Sequence, residues 1–384
     1  MMNECIRCGD WAAGDGFKLG DDVVIECQRA RIGHNVQVGV HTDQNFRRLS
    51  GVRIRVDTLV LGDGVVIDRE VLLQGGRFQL DKGVRVLGGS TLRVKKSLHI
   101  QPYGTVNENC EVAGVDIEIG RYLWMLPFAK IGGGSAFEVH SRLRAGHFCH
   151  LGAHTFLNTA RPVTLGDEVG LGTRTALYTH GAYPSVLQGA PVAWGGIHIG
   201  GRSWLPGAVV NPGVSIGPDC VIGVGAVVTR DIPAGSLAAG VPARVIRENA
   251  YPQELSPEQK RAIMTALLRG FAEICQDRHR VEFAASDNGK VLMRLDDKMS
   301  IVYNFLASAG WADALQDSVG RVIYLAHEYE RWPGAFSPDL TLIDLDARRI
   351  AGKADDLSER LLNQLRRYGV RFRYEPEGGA YVAW

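Results

Sequence analysis

The sequence predicts a mainly β protein, in which a parallel β-helix solenoid is followed by a small α+β domain. Glycine accounts for 47 of the 384 residues, well above average usage, which indicates that turns recur along the chain. From residue 165 an aliphatic residue followed by glycine or a small polar residue returns at about every sixth position, the pattern typical of parallel β-helices. After Asn249 this pattern stops and helical spacing replaces it.

The composition disfavours several classes of function. Lys and Arg total 43 against 42 for Asp and Glu, so the chain has no charge excess for binding nucleic acid. No apolar run is long enough to cross a membrane, and the N-terminus lacks a basic region followed by an apolar one, so we expect a cytoplasmic protein without membrane insertion. Seven cysteines, including the pair Cys5 and Cys8, favour reduced thiols without a bound metal, since no second ligand pair accompanies them.

The repeat is clearest in the middle of the chain. A helix would return its apolar residues every 3.6 positions and a half-buried strand every second position, so a short strand plus a turn explains a period of six. Each marked side chain is then expected to point into the solenoid, and the residue after it turns a corner. One interval, from Leu205 to Val210, is a residue short. The marked residues are Leu165, Leu171, Leu177, Ile199, Leu205, Val210, Ile216, Ile222 and Val228.

The same phase continues towards the N-terminus with less regularity. We therefore expect a lead segment over 1–15 and one solenoid over 16–250. Segments 41–51 and 178–197 break the period and are predicted to be loops that leave the coils. Earlier members of the pattern include Leu19, Ile32, Val38, Leu61, Ile67, Val86, Val106, Ile119, Ile131 and Leu151.

Residues 251–384 are predicted to form the α+β domain. Ser256, Pro257 and Gln259 resemble a capping box that opens a helix, with Ile263, Leu267, Phe271 and Ile274 on its apolar face. Two apolar runs around Asn288-Gly289 predict a hairpin, and 340–345 alternates like a strand. A last helix is predicted over 355–368, ended by Gly369, before a strand over 370–374.

His180 is the first candidate for chemistry. It lies where a regular coil gives way to the 178–197 loop, a position at which a side chain can meet substrates above a rigid scaffold. His147, Cys149, His150 and His154 precede it by about two coils, and we expect His150 and His154 to line an acceptor cleft, because sugar hydroxyls require polar partners.

Two segments resemble the hexapeptide-repeat acyltransferases, the family that contains galactoside, maltose and serine acetyltransferases. Residues 227–236 and 239–248 are similar to the closing segment of that family, and Tyr178-Thr179-His180 and Trp204 also match. The resemblance implies a left-handed β-helix, a homotrimer with active sites between subunits, and acyl transfer from acetyl-coenzyme A. No equivalent of the C-terminal domain accompanies it.

The resemblance also implies roles for individual residues. His180 would be the general base, which takes a proton from the acceptor hydroxyl, and the Gly207 amide would stabilise the oxyanion, since Pro206 has no N–H to donate. Asn158 and Tyr178 would join the histidines in binding the acceptor. The coenzyme would contact Trp204, Gly207, Gly225, Ala226, Arg230 and Arg244, the two arginines pairing with its phosphates.

The acceptor expected from this resemblance is a hydroxyl of a carbohydrate, a nucleotide sugar or a glycan unit. Two other functions stay open. A β-helix can serve as a non-enzymatic scaffold or assembly subunit, and the γ-class carbonic anhydrases hold zinc with three histidines on the same kind of trimer. The histidine spacing here fits those zinc ligands poorly, and the 227–248 segment has no purpose in a hydratase.

Overall fold

The computed structural model describes residues 6–40, 51–181, 183–286, 290–296, 298–304, 318–327, 339–352 and 355–374. The chain divides into two compact units after Gln253. The first is a parallel β-solenoid and the second a small α+β unit, so the predicted fold class is confirmed. The domain division falls three residues after the predicted one.

The first part of the solenoid alternates long and short strands. Each long strand pairs in parallel with the next long strand, and each short strand with the next short one, so one coil consists of a long and a short strand. These strands are β1 (Ile6–Ala13), β2 (Lys18–Leu19), β3 (Val24–Ile32), β4 (Gln37–Val38), β5 (Arg53–Leu61), β6 (Val66–Ile67), β7 (Leu72–Leu80), β8 (Arg85–Val86), β9 (Thr91–Ile100), β10 (Thr105–Val106) and β11 (Glu111–Ile119).

The second part has three strands in each coil up to Ser215–Ile216 and one hairpin outside the coils, and it closes with the antiparallel pair of Leu237–Gly240 and Ala243–Arg247. The coil strands are β12 (Trp124–Met125), β13 (Lys130–Gly132), β14 (Arg142–Ala145), β15 (His150–Leu151), β16 (Phe156–Asn158), β17 (Val163–Leu165), β18 (Gly170–Leu171), β19 (Ala176–Leu177), β22 (Ile197–Ile199), β23 (Trp204–Leu205), β24 (Val209–Val210), β25 (Ser215–Ile216), β26 (Val221–Ile222), β27 (Val227–Val228), β28 (Leu237–Gly240) and β29 (Ala243–Arg247). The hairpin strands are β20 (His180–Gly181) and β21 (Ala193–Trp194).

Three ladders of strands run along the solenoid. The first ladder continues from β11 through β13, β16, β19, β24 and β27, and the second from β11 through β14, β17, β22 and β25. The third ladder contains the short strands from β2 to β12, then β15, β18, β23, β26 and β28. Strand β11 pairs with both β13 and β14, so each long strand carries the first two ladders and bends between them. At one bend Gly75 is required, because a Cβ there would lie 1.6 Å from the Val94 carbonyl oxygen.

The interior of the solenoid is a set of aliphatic stacks. Apart from Leu19, which is half-buried, the side chains predicted to point inwards are buried against their equivalents in the next coil, which stabilises the fold by about 1.5–3 kcal/mol for each fully buried residue. Stacking is necessary because one coil cannot cover its own apolar side chains. The stack of the third ladder contains Val38, Ile67, Val86, Val106, Met125, Leu151, Leu171, Leu205, Ile222 and Ala238.

The first coil begins earlier than predicted. Strand β1 pairs in parallel with β3 from Ile6 to Ala13, so residues 6–13 belong to the solenoid and not to a lead segment. The repeat is hard to see in this coil because Ala13 occupies the position at which the next two coils have Ile32 and Leu61. Cys8 lies opposite Cys27 on β3, with 2.8 Å between the sulfur atoms, while Cys5 lies outside the described residues.

The C-terminal unit is a six-stranded sheet with two described helices. The three central strands, Met299–Asn304, Arg321–Ala326 and Leu340–Asp344, are parallel, and the outer pairs are antiparallel. The elements are α1 (Pro257–Cys275), β30 (Val281–Ala285), β31 (Lys290–Leu295), β32 (Met299–Asn304), β33 (Arg321–Ala326), β34 (Leu340–Asp344), β35 (Arg349–Ala351) and α2 (Asp356–Arg367). Both helices share one core with one face of the sheet.

The predictions for this unit hold in outline. The capping box at Ser256 and Gln259 opens α1, and the predicted hairpin is β30 with β31, although Asn288-Gly289 lies outside the described residues. The predicted face of α1 was displaced by about one residue: Ile263 and Ile274 are 47% and 42% exposed. Residues 370–374 are not in a strand. The residues that α1 buries are Met264, Leu267, Leu268, Phe271, Ala272 and Cys275.

Candidate active site

The candidate site lies at the corner between the first and second ladders. Three insertions leave the solenoid there, over 133–141, 159–162 and 178–196. The last confirms the predicted loop and contains the antiparallel hairpin β20–β21, in which His180 lies directly opposite Trp194. Because β13, β16 and β19 are adjacent in the first ladder, the residues that follow them in sequence are stacked at this corner.

Asn158 orients His180. Its Oδ1 lies 2.9 Å from His180 Nδ1 and also accepts hydrogen bonds from Thr179 Oγ1, at 2.5 Å, and from the Ala160 amide, at 3.3 Å. Its Nδ2 donates to the carbonyl oxygens of Gly132 and Gly134, at 3.3 and 3.1 Å. These two bonds identify which end of the amide is nitrogen.

The network therefore fixes the tautomer of His180. An amide oxygen only accepts hydrogen bonds, so Nδ1 of His180 must carry the proton and donate to Asn158. The lone pair is then on Nε2. A Cβ placed on Gly134 would lie 3.9 Å from both Cε1 and Nε2, so the glycine lies beside the nitrogen that would act as base. An oriented imidazole with a free lone pair can take a proton from a hydroxyl.

Asn158 was predicted to bind the acceptor, and the structure gives it a different place. Its side chain is only 2% exposed, and both ends of its amide are hydrogen-bonded within the protein. It thus acts on His180 and does not face the acceptor. Tyr178 lies two residues from His180, is 42% exposed, and packs the edge of its ring against Phe156.

Trp194 and Arg161 complete the surroundings of His180, and the repeat pattern did not point to either residue. The Trp194 indole stacks on the His180 ring, with 4.7 Å between centroids and 15° between planes. The Arg161 guanidinium lies 4.3 Å from the centroid of the indole, and the Arg161 amide donates to Thr179 Oγ1 at 3.1 Å. A Trp at the return of a loop that begins with His180 was the signal available in the sequence.

His150 and His154 lie elsewhere in the protomer. His150 is in β15 of the third ladder, with its ring 6.3 Å from that of Trp204. His154, at the turn that follows, stacks on Phe128 with 5.1 Å between the centroids. Both histidines are thus on the side of the third ladder, whereas His180 follows the first ladder. Within one protomer, His150 and His154 therefore do not lie beside His180.

Trp204 lies across the outer surface of the third ladder. Its indole covers Gly170, where a Cβ would be 2.4 Å from Cε3, and Gly172, where a Cβ would be 3.2 Å from Cη2. The residue is 41% exposed, so one surface of the ring remains available. The side chain therefore forms a flat apolar platform beside the corner that leads to β24.

The five-residue interval is a turn shortened by one residue. Leu171 pairs with Leu205 and Leu177 with Val210, so the interior register is kept. Gly207 takes a positive φ of 61° in this turn. Its amide donates to Thr175 Oγ1 at 3.1 Å, which corrects the oxyanion assignment, because that N–H is already engaged within the coil.

The other predicted coenzyme residues are spread over two ladders. Gly225 follows β26, with open space where a Cβ would be, and Arg244 is exposed in β29, beside β28. Arg230 is exposed after β27, at the end of the first ladder. Arg230 and Arg244 thus follow different ladders of the solenoid. Within one protomer they are not neighbours along the same ladder. Ala226 is fully buried, so its methyl group points into the core and not towards a coenzyme.

Two negative findings concern the described residues. Within the described ranges, no three His, Cys, Asp or Glu side chains converge in a way that would hold a metal ion. No helix in that part of the chain is long and apolar enough to cross a membrane.

Comparison with known proteins confirms the resemblance to the hexapeptide-repeat acetyltransferases. Galactoside O-acetyltransferase of Escherichia coli (strain K12) is 35% identical over 130 residues, which are 32% of this chain and 64% of that protein. A protein of Staphylococcus aureus (strain COL) named as an acetyltransferase is 54% identical over 63 residues, 16% of this chain and 32% of its own length. The chain thus spans less than two thirds of these relatives, and no protein-family model matches it.

Solved structures of similar proteins overlap only partly with the chain. A galactoside acetyltransferase in complex with coenzyme A is 26% identical and covers 39% of this chain and 64% of its own, with a TM-score of 0.25. A maltose O-acetyltransferase from Clostridium difficile 630 is 25% identical and covers 34% and 58%, with a TM-score of 0.24. These structures overlap with too little of the chain to bear on its function. The similarity in sequence to the acetyltransferases is the finding that does.

Proposed function

We propose that this protein transfers an acetyl group from acetyl-coenzyme A to a hydroxyl of a carbohydrate, nucleotide sugar or glycan, with His180 as the general base. The observation that carries the proposal is the Asn158–His180 hydrogen bond, because it leaves the lone pair of Nε2 ready to accept a proton. A scaffold has no need for a buried amide that fixes one tautomer of a half-exposed histidine. The similarity to galactoside O-acetyltransferase supports acetyl transfer to a sugar.

The proton transfers follow from this geometry. Nε2 of His180 takes the hydroxyl proton as the acceptor oxygen attacks the thioester carbonyl. The imidazolium keeps its Nδ1–H bond to Asn158 Oδ1, so the positive charge forms against a fixed dipole. When the C–S bond breaks, Nε2–H returns its proton to the leaving thiolate, which restores the neutral base and releases coenzyme A and the acetyl ester.

Residues of the third ladder are proposed to hold the coenzyme. The exposed Trp204 platform and the open backbone at Gly225 suit a long, thin apolar arm, and the exposed Arg244 suits a phosphate. Arg230 is proposed to bind a phosphate of a coenzyme held between two subunits. Sites between the subunits of a homotrimer would combine His180 of one protomer with Trp204 of its neighbour. Residues 254–384 are proposed to shape acceptor choice or assembly.

The proposed function is tested with the wild-type chain. Free thiol released from acetyl-coenzyme A is measured over a panel of sugars, nucleotide sugars and amines, and coenzyme A binding is measured by isothermal titration. We expect binding of coenzyme A and thiol release that depends on a hydroxyl-bearing acceptor, with an acetyl ester in the product mass spectrum. A chain that binds no coenzyme A would contradict the proposal and favour the scaffold.

A further inference from the structure

The hairpin β20–β21 places an aromatic wall against the imidazole of His180. Among the described residues, two pairs form this hairpin, His180 with Trp194 and Gly181 with Ala193. Directly opposed residues of an antiparallel pair bring their side chains close together. Here the rings of His180 and Trp194 are nearly parallel, with 4.7 Å between their centroids. The stack is thus built into the backbone register of the hairpin.

Arg161 ties this wall to the network that orients His180. Its guanidinium lies over the indole at 4.3 Å, within the range of a cation–π contact, and lies 3.5 Å from Glu138 Oε2. Its backbone amide donates to Thr179 Oγ1, which in turn donates to Asn158 Oδ1. The imidazole and the indole are therefore anchored to the same buried asparagine by separate routes.

We infer that Trp194 is a positioning residue for His180, an inference that rests on the proposed function. The single hydrogen bond to Asn158 holds Nδ1 but leaves the ring free to rock about that contact. The indole face removes this freedom and keeps Nε2 directed at one point. When His180 takes up a proton, the imidazolium lies over an aromatic face, which favours the charged ring. Trp194 thereby acts through His180 without touching the reacting atoms.

The kinetic test compares Trp194→Leu with Trp194→Phe. Leucine removes the aromatic face, whereas phenylalanine keeps a ring at the same register position. Because misplacement of a catalytic group by about 1 Å can lower the rate about 100-fold, we expect Trp194→Leu to lower kcat by roughly 10- to 100-fold. The Kd for coenzyme A should be unchanged, and Trp194→Phe should recover most of kcat. A wild-type kcat in Trp194→Leu would overturn the inference.

A second readout does not depend on activity. With ¹³C-labelled histidine, the Cε1–H resonance of His180 is identified by its loss in His180→Ala. The indole ring current should displace this resonance in the wild type, Trp194→Leu should move it towards that of an unstacked histidine, and circular dichroism should show that the variant is folded. If the resonance had the same chemical shift in the wild type and in Trp194→Leu, the inference that the two rings are stacked would be wrong. If the wild type transfers no acetyl group but the resonance moves, the proposed function fails while the stack stands.

Discussion

At the scale of single residues, the orientation of one imidazole decides what this site can do. Asn158 accepts from Nδ1 of His180 and donates both of its amide hydrogens to backbone carbonyls. A carboxylate at position 158 would accept from His180 but would repel those carbonyl oxygens. An amide is thus the side chain that satisfies both sides of the network.

Substitution of Asn158 by alanine should reduce both activity and stability. We expect kcat to fall by roughly 100-fold, since the general base loses its orientation, and the free energy of unfolding to fall by about 1–3 kcal/mol, since buried partners lose their bonds. The measurements are acetyl-transfer kinetics and urea unfolding.

Asn107→Ala is the matched control for this substitution. Asn107 donates from Nδ2 to the Met125 carbonyl in an earlier coil, so its loss should cost stability while kcat is unchanged. An Asn158→Ala enzyme that turns over at the wild-type rate, or an equal loss of kcat in both variants, would contradict the orienting role.

The sequence singles out His180 as the candidate base, but it does not reveal the surroundings of that side chain. His180 stands out because a regular repeat is interrupted directly after it. Its partner Asn158 is 22 residues earlier, and only the stacking of β16 on β19 brings the two side chains together. Trp194 likewise meets His180 only because the loop returns as a hairpin. Such contacts depend on coil length and loop path, neither of which the hexapeptide pattern specifies.

At the scale of elements, the third ladder supplies the flat surface on which the coenzyme is proposed to lie. Gly170 has no Cβ, so the Trp204 indole can lie directly on the neighbouring strand. The repeat predicted which residues point inwards, whereas the outward surface is decided by such local fits. The turn at Gly207 is a second example of a local fit. It is one residue shorter than the repeat requires, and the Gly207 amide donates to Thr175 Oγ1.

The substitution Gly170→Ala should displace the Trp204 indole. A methyl group there would be 2.4 Å from Cε3, and the ring must move away from the strand. We expect the Kd for coenzyme A to rise by about 10-fold, equivalent to about 1.4 kcal/mol, with kcat largely retained; titration calorimetry and kinetics measure both.

Gly270→Ala, in helix α1, is the control for this glycine substitution. Its Cβ would meet no atom closer than 3.8 Å, so coenzyme affinity should be unchanged. Unaltered coenzyme affinity in Gly170→Ala would argue against a role for the Trp204 platform.

Helix α2 of the C-terminal unit depends on Asp355. Burial opposes the charged form of this carboxylate, but hydrogen bonds from Arg321 and Ser358 outweigh it and hold its pKa below the ordinary value. A lowered pKa means that the stabilisation is present above the ordinary carboxylate range and disappears as the pH falls through the lowered value. Asp355 also caps the helix by accepting from the Ser358 amide.

Asp355→Ala should therefore lower the free energy of unfolding at pH 7 by about 2 kcal/mol. The difference from the wild type should begin to shrink below about pH 4, where the carboxylate of the unfolded chain takes up a proton, and should disappear once the pH falls below the lowered pKa of the folded state. Urea unfolding followed by the helical circular dichroism signal measures this, since the described α-helices lie in this unit. Asp356→Ala, at an exposed neighbouring position, should change little. A difference that persists at low pH would contradict the ion pair.

At the scale of the whole molecule, the two halves of the proposed site lie at different corners of the solenoid. His180 follows the first ladder, whereas Trp204 and Gly225 belong to the third ladder and its edge. The resemblance to trimeric acyltransferases predicts that neighbouring protomers unite these halves. In the proposed trimer the two halves meet only between chains, so the sequence of one chain predicts the fold but not the complete site.

A complementation experiment tests the shared site. His180→Ala and Gly225→Trp chains, each expected to be inactive as homotrimers, are unfolded and refolded together in equal amounts. In a threefold ring about a quarter of the sites should then combine an intact His180 with an intact Gly225. Sedimentation equilibrium should give three times the 41.9 kDa of the chain. Absence of recovered activity in a trimer of this mass would place each site within one protomer.

The most direct measurement is the single-turnover rate of acetyl transfer by wild type and His180→Gln, with the Kd for coenzyme A measured on the same samples. Glutamine retains a polar side chain but cannot take up the proton of the acceptor at neutral pH. We expect a rate at least about 100-fold lower, in the range that general base catalysis supplies, with unchanged coenzyme affinity. A His180→Gln protein that transfers acetyl groups at the wild-type rate would show that His180 is not the base.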